Sequence, residues 1–227
     1  MDSAKLEQDL DSFASRARSA ALHALADGIR REVLPDLTGA VNVHFHTFFS
    51  FNALGYSPSR IAWEARKRGL DVAGSVDFDV LDAMDELWDA GLLLDLRTVA
   101  ALETRVFMDA YADREINSPG EPGVSYFMGT GFTALPLKTS FASTCLAAMR
   151  DQARRRNEAM LQRLNSYLAP LKIDYEADVL TLTPSGNATE RHMLAALDAK
   201  ARQRFPDEAA LVKFWGEALG QSADEVR

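Results

Sequence analysis

The stretch VNVHFHTFFSFN, residues 41–52, sets two of the chain's four histidines one residue apart in an apolar, aromatic run. In an extended strand the side chains at i and i+2 leave on the same face, so His44 and His46 point toward one space. Two converging imidazoles at a strand end make a candidate metal site. The fold that places such a site is read from what surrounds it.

GAVNVHFH, residues 39–46, reads as a strand, and Ser57-Pro58 opens a helix, SRIAWEARKRG, because proline is tolerated at the first helical position. LDVAGSVDFD (70–79) is a second apolar strand, VLDAMDELWDAG (80–91) an amphipathic helix closed by Gly91, and RTVAALETRVF (97–107) a third strand. Strand and helix alternating at this spacing predict right-handed crossovers and a parallel sheet. The expected fold class is α/β, a partial or distorted βα barrel with parallel strands. Its chemistry belongs at the C-terminal strand ends.

Residues 4–33 recur apolar at helical spacing up to Pro35-Asp36, which predicts an N-terminal helical extension over 1–38, with the α/β domain covering 39–227. INSPGEPG, within 109–123, is a loop, semi-rigid and expected at the same mouth as His44. GVSYFMG (123–129) reads as a fourth strand, 139–169 as one long helix and DVLTLTP (178–184) as a fifth strand. Asn187 with Glu190 fits a reciprocal N-cap, and a further helix is expected over 207–219, so the C-terminal part is helical. Ser222 to Glu225 is a capping box with two residues after it, from which the sequence is expected to continue beyond Arg227.

The formal charge of −8 argues against nucleic-acid or anionic-membrane partners, and a composition 47% hydrophobic and 26% charged is that of a folded globular chain. A single cysteine, Cys145, excludes an internal disulfide framework, and no run approaches the roughly 18 apolar residues of a membrane span. A cytoplasmic protein is expected.

Each of the first three strands carries a polar i, i+2 pair near its C-terminal end: His44 and His46, Asp77 and Asp79, Glu103 and Arg105. A mixed imidazole and carboxylate set suits Zn, Mn or Fe. Each residue also has a plainer reading. Asp77 or Asp79 could cap the helix that follows, and Arg105 could pair with a neighbouring acid.

The order H-x-H-T, a Ser-Pro helix start, ARKRGLDVAGSVDFDVLDAMDE and then ALETRVF resembles the PHP (polymerase and histidinol phosphatase) superfamily over roughly residues 40–107. REINSPGEPGVSYFMGTGF and SGNATERHM are similar to segments of an uncharacterised bacterial group with a PHP-like region. The resemblance implies a distorted βα barrel with metals at its mouth and hydrolysis of a small phosphorylated substrate. It implies His44, His46, Glu103 and Asp77 as metal positions for a divalent transition metal, with Asp77 alternatively orienting an imidazole. Arg105 and Asp77 are the catalytic candidates, Arg105 steadying the substrate. Phe51 stands where the family's first motif has an acidic ligand and Phe78 where the second has a histidine. The alternative is therefore a catalytically degenerate scaffold, a small-molecule binding or regulatory module.

Overall fold

Helix starts and stops in this chain follow from capping. In a computed structural model, which describes residues 2–29, 35–169 and 171–226, Asp2 caps helix α1 (Ser3–Asp9) by accepting from the Ala4 amide. Ser12 accepts from the Ala14 amide just before α2 (Ser15–Ile29) begins. The single N-terminal helix read from periodicity is thus two helices, broken where short polar side chains compete for backbone amides. The expected helical residues 30–33 lie outside the described residues.

Strand β1 (Ala40–Phe45) leads through a loop to α3 (Pro58–Lys67), whose N-cap is Ser57, with its hydroxyl oxygen accepting from the Arg60 amide at 3.0 Å. Strand β2 (Leu70–Phe78), helix α4 (Met84–Leu94) and strand β3 (Arg97–Phe107) complete the alternation. α4 starts at Met84, later than expected, and runs past Gly91 to a left-handed Asp95 (φ 53°). Gly91 serves packing instead, because a Cβ there would lie 2.6 Å from the Thr98 methyl group.

The sheet has the order β1-β2-β3-β4, where β4 is Val124–Thr130. β1 with β2 and β2 with β3 are parallel, but β3 with β4 is antiparallel, which corrects the expectation of an all-parallel sheet. The reason is local. Residues 108–123 contain no crossover helix, only a 3₁₀ turn at Asp109–Tyr111, so the chain doubles straight back onto β3. Gly123 makes the return possible: its φ is +78°, and a Cβ would sit 2.5 Å from the Phe107 ring. The result is a curled half-barrel sheet rather than a closed barrel.

The contacts divide the chain into two units, residues 1–150 and 151–227. In the first, Leu10, Leu22 and Leu25 of the N-terminal segment share one buried core with Ala62, Trp63 and Leu87 of α3 and α4. Arg18, 3% exposed, locks this layer by pairing with Glu86, which also accepts from the Ser59 hydroxyl at 2.7 Å.

Helix α5 (Phe141–Tyr167) begins in the first unit and ends in the second. The second unit packs Leu161, Ile173, Val179, Met193 and Leu197 around helices α6 (Glu190–Arg204) and α7 (Glu208–Leu219), followed by a short α8 (Ala223–Val226). The fifth strand expected at 178–184 is absent. A π-helical turn at Tyr175–Val179 and a 3₁₀ turn at Leu180–Leu182 occupy that segment. Asp174 caps the turn by accepting from the Ala177 amide at 2.8 Å, and Tyr175 and Val179 are buried four residues apart, so helical spacing prevails over alternation. The N-cap of α6 is Thr189 rather than Asn187, and its amide donates to Nδ1 of the buried His192 at 3.0 Å. No described helix is long and apolar enough to cross a membrane.

Candidate metal centre

Register decides which side chains meet. Phe78 on β2 pairs with Glu103 on β3, and Glu103 with Met128 on β4, so these three share one face of the sheet. The His46 ring stacks on Phe78 (centroids 4.7 Å apart, planes at 20°), which puts His46 on that face too. The His44 ring lies 5.3 Å from it. His44 Nε2 is 3.6 Å and His46 Nε2 3.5 Å from the same oxygen, Glu103 Oε2.

These distances are longer than a hydrogen bond, yet one ligand atom from each of the three residues falls within 4.8 Å of the other two. An ion with bonds of about 2.0–2.1 Å in tetrahedral geometry sets its ligand atoms about 3.4 Å apart. The two histidine-to-Glu103 separations match that edge to within a few tenths of an ångström, the two histidine nitrogens lie within 4.8 Å of each other, and nitrogen and carboxylate oxygen suit a divalent transition metal. The residues therefore fit the group that the sequence implies.

Asp77 is not in this cluster. Alternation sends it to the opposite face from Phe78, where it is 1% exposed. Its Oδ1 accepts from the Thr47 amide (2.7 Å) and the Ser50 hydroxyl (2.6 Å), and its Oδ2 accepts from the Thr47 hydroxyl (2.7 Å). Burial raises its pKa from 3.8 to about 6 against the lowering effect of those three bonds. Its oxygens are engaged by the loop after β1, away from the His44, His46 and Glu103 group. Ser50 Oγ stands 3.5 Å from His46 Nδ1, so Asp77 packs behind the imidazole with Ser50 between them.

Arg105 shares the face of Glu103 but is engaged by Glu121, and its guanidinium lies 5.8 Å from the centroid of the Tyr126 ring. Glu121 also accepts from the Ser118 hydroxyl. The INSPGEPG segment is thereby drawn to the strand end that carries Glu103. Asn117 fixes it further, accepting from the Tyr126 amide at 2.8 Å. Neither Asp77 nor Asp79 caps α4, whose N-cap is Ala83. Asp79 instead has a φ of 60°, donates its amide to the Glu103 carbonyl (2.8 Å) and accepts from the Thr104 hydroxyl (2.6 Å).

Sequence reasoning passed over Thr47, Ser50, Thr104, Glu121 and Tyr126. The one available signal was the density of hydroxyl residues beside the candidate ligands, and it names no partner.

No protein-family profile and no curated protein sequence matches the chain. Solved structures do. The first is a provisionally named metal-dependent phosphoesterase from Bifidobacterium adolescentis, at TM-score 0.56 and 21% identity over 78% of this chain and 57% of that one. The second is an amidohydrolase from Chromobacterium violaceum, solved with sulfate and no metal, at TM-score 0.53 and 14% identity over 74% of this chain and 51% of that one. At these identities the likeness is one of fold. The chain spans little more than half the length of either neighbour.

Proposed function

We propose that His44, His46 and Glu103 hold a divalent transition metal, Zn, Mn or Fe, and that the chain carries the metal site of a PHP-like hydrolase acting on a small phosphorylated substrate. The observation that carries this reading is the convergence of three ligand atoms, from the end of β1 and from β3, on one space. A bound ion would supply Lewis acidity to a phosphoryl oxygen and lower the pKa of a water. Phe78 packs His46 in place, and Asp77 with Ser50 holds the loop behind it. Arg105 is the cation assigned to the substrate oxyanion, oriented by Glu121. The fold neighbours support the reading, since one bears a phosphoesterase name and the other binds sulfate, a tetrahedral oxyanion like phosphate.

The test is metal content per chain after loading and desalting, for the wild type and for His46→Ala and Glu103→Gln, followed by hydrolysis of an aryl phosphate beside an aryl acetate. Stoichiometric metal lost in both variants, with turnover of the phosphate alone, is the expected result. A wild-type chain that takes up no transition metal overturns the reading in favour of the degenerate scaffold, in which Phe78 occupies the place of a ligand.

A further inference from the structure

The geometry points to Asp79 as the residue that positions Glu103, through a carboxylate that holds the Thr104 hydroxyl just beyond it. This inference rests on the metal reading of His44, His46 and Glu103. Its grounds are separate.

β2 ends at Phe78, and in parallel register Phe78 stands beside Glu103. The next amide, that of Asp79, continues the parallel ladder, and Asp79 then turns the chain with φ at 60°, one of two non-glycine residues with positive φ among those described. Aspartate tolerates this region better than most L residues, since its short side chain can hydrogen-bond locally. That ladder bond sets the Asp79 N–H 2.8 Å from the Glu103 carbonyl oxygen. The same residue's Oδ1 accepts from the Thr104 hydroxyl at 2.6 Å. Two successive groups of β3, the carbonyl of Glu103 and the side chain of Thr104, are therefore held by one residue of β2's end. They bracket the peptide that follows the Glu103 Cα and so fix the direction of its side chain.

The ordinary use of an aspartate at this point would be to cap the next helix. That use is excluded, because α4 begins at Met84 with Ala83 as N-cap and no side-chain cap bond. Glu103 also needs such support more than the histidines do. His46 is stacked on Phe78 and its carbonyl accepts from Asn52 Nδ2 at 2.8 Å, whereas Glu103 supplies the oxygen shared by both imidazoles. A displacement of Glu103 opens both separations at once.

The experiment titrates the full chain with Co(II), reading its visible spectrum, and with Zn(II) by competition. Asp79→Ala and Thr104→Val should each weaken binding about ten-fold or more and broaden or shift the Co(II) bands, as losing a partner behind a ligand does. Asp79→Gly, which keeps the turn without the carboxylate, should weaken binding as Ala does. Asp79→Asn, whose Oδ1 accepts the same bond, should restore wild-type affinity and spectrum. Affinity within two-fold of wild type for Asp79→Ala, or no rescue by Asn, overturns the assignment. Should the wild type bind no Co(II), the metal reading falls, and crystal structures of the wild-type and Asp79→Ala chains decide the positioning claim. A Glu103 carboxylate in the same place in both overturns it; one that moves or loses order in the variant upholds it.

Discussion

Asp77 is where two physical effects oppose each other most directly. Three hydrogen bonds to its oxygens favour the carboxylate, while burial at 1% exposure favours the neutral acid, and burial prevails, with a pKa of about 6 against 3.8. Because the folded pKa lies above the unfolded one, the native state holds this proton more tightly. The resulting stabilisation is full below about pH 3.8 and is lost as pH rises through about 6. At 1.36 kcal/mol per pKa unit, the rise from 3.8 to about 6 is worth about 3 kcal/mol. Asp77→Asn abolishes this dependence at the cost of one mismatched contact, about 1–2 kcal/mol, since its NH₂ group must face the Thr47 or Ser50 hydroxyl. Wild type should therefore exceed the variant in stability most at pH 4, and the gap should narrow by about 2–3 kcal/mol by pH 7. Urea unfolding in chelator, in a Trp215→Phe background so that fluorescence reports Trp63 and Trp88, measures that difference. A gap constant with pH, or one that widens toward pH 7, would refute the argument and show that the three hydrogen bonds outweigh burial.

His192 should give the opposite slope. Burial lowers its pKa from 6.5 to about 4, so the unfolded chain takes the proton first and residues 151–226 lose about 3 kcal/mol between pH 6.5 and 4; hydrogen exchange of that segment measures it, and equal protection at both pH values counts against it. Arg18→Met should destabilise the first unit by about 3 kcal/mol by stranding Glu86, whereas Lys5→Met, which breaks the exposed pair with Asp9, should cost under about 0.5 kcal/mol. Denaturant midpoints separate the two, and similar values would mean that burial of Arg18 does not decide its worth. Gly74→Ala places a Cβ 2.9 Å from both Cα and O of Val43, so β1 must shift, costing roughly 1–3 kcal/mol and weakening Zn(II) binding; unchanged binding would show that the shift does not reach His44.

The strands β1 to β3 and helices α3 and α4 were legible because each is short, periodic and punctuated by Ser57-Pro58 or glycine. That His44 and His46 share a side was legible from their i, i+2 spacing; that Glu103 meets them there depends on the register of β2 and β3. For Asp77 and Asp79 the same spacing left the face open: it says that two side chains share a face, not which face. One residue of parity, set by the pairing of Phe78 with Glu103, sends Asp77 to the helix side. The direction of β4 is a property of the connection rather than of the strand, so GVSYFMG could not reveal it. DVLTLTP alternates like a strand, and only the burial of Tyr175 and Val179 in the second core makes its helical spacing the stronger pattern. Thr189 outcompetes Asn187 as a cap because His192 is buried behind it, which no local rule anticipates.

The strand order β1-β2-β3-β4 has a consequence for synthesis. Every hydrogen-bonded neighbour in the sheet is also the next strand to leave the ribosome, so the sheet can grow by addition at one edge, with no strand waiting to be inserted between two others. Such sequential pairing keeps each loop closure to the length of a single connection. The N-terminal helices have the reverse experience. Leu22 and Leu25 emerge first, yet the residues that cover them, among them Trp63 and Leu87, follow some 40 to 60 residues later. A nascent chain stalled before Leu87 thus presents an amphipathic helix with its apolar stripe bare, and that is the segment a chaperone would hold.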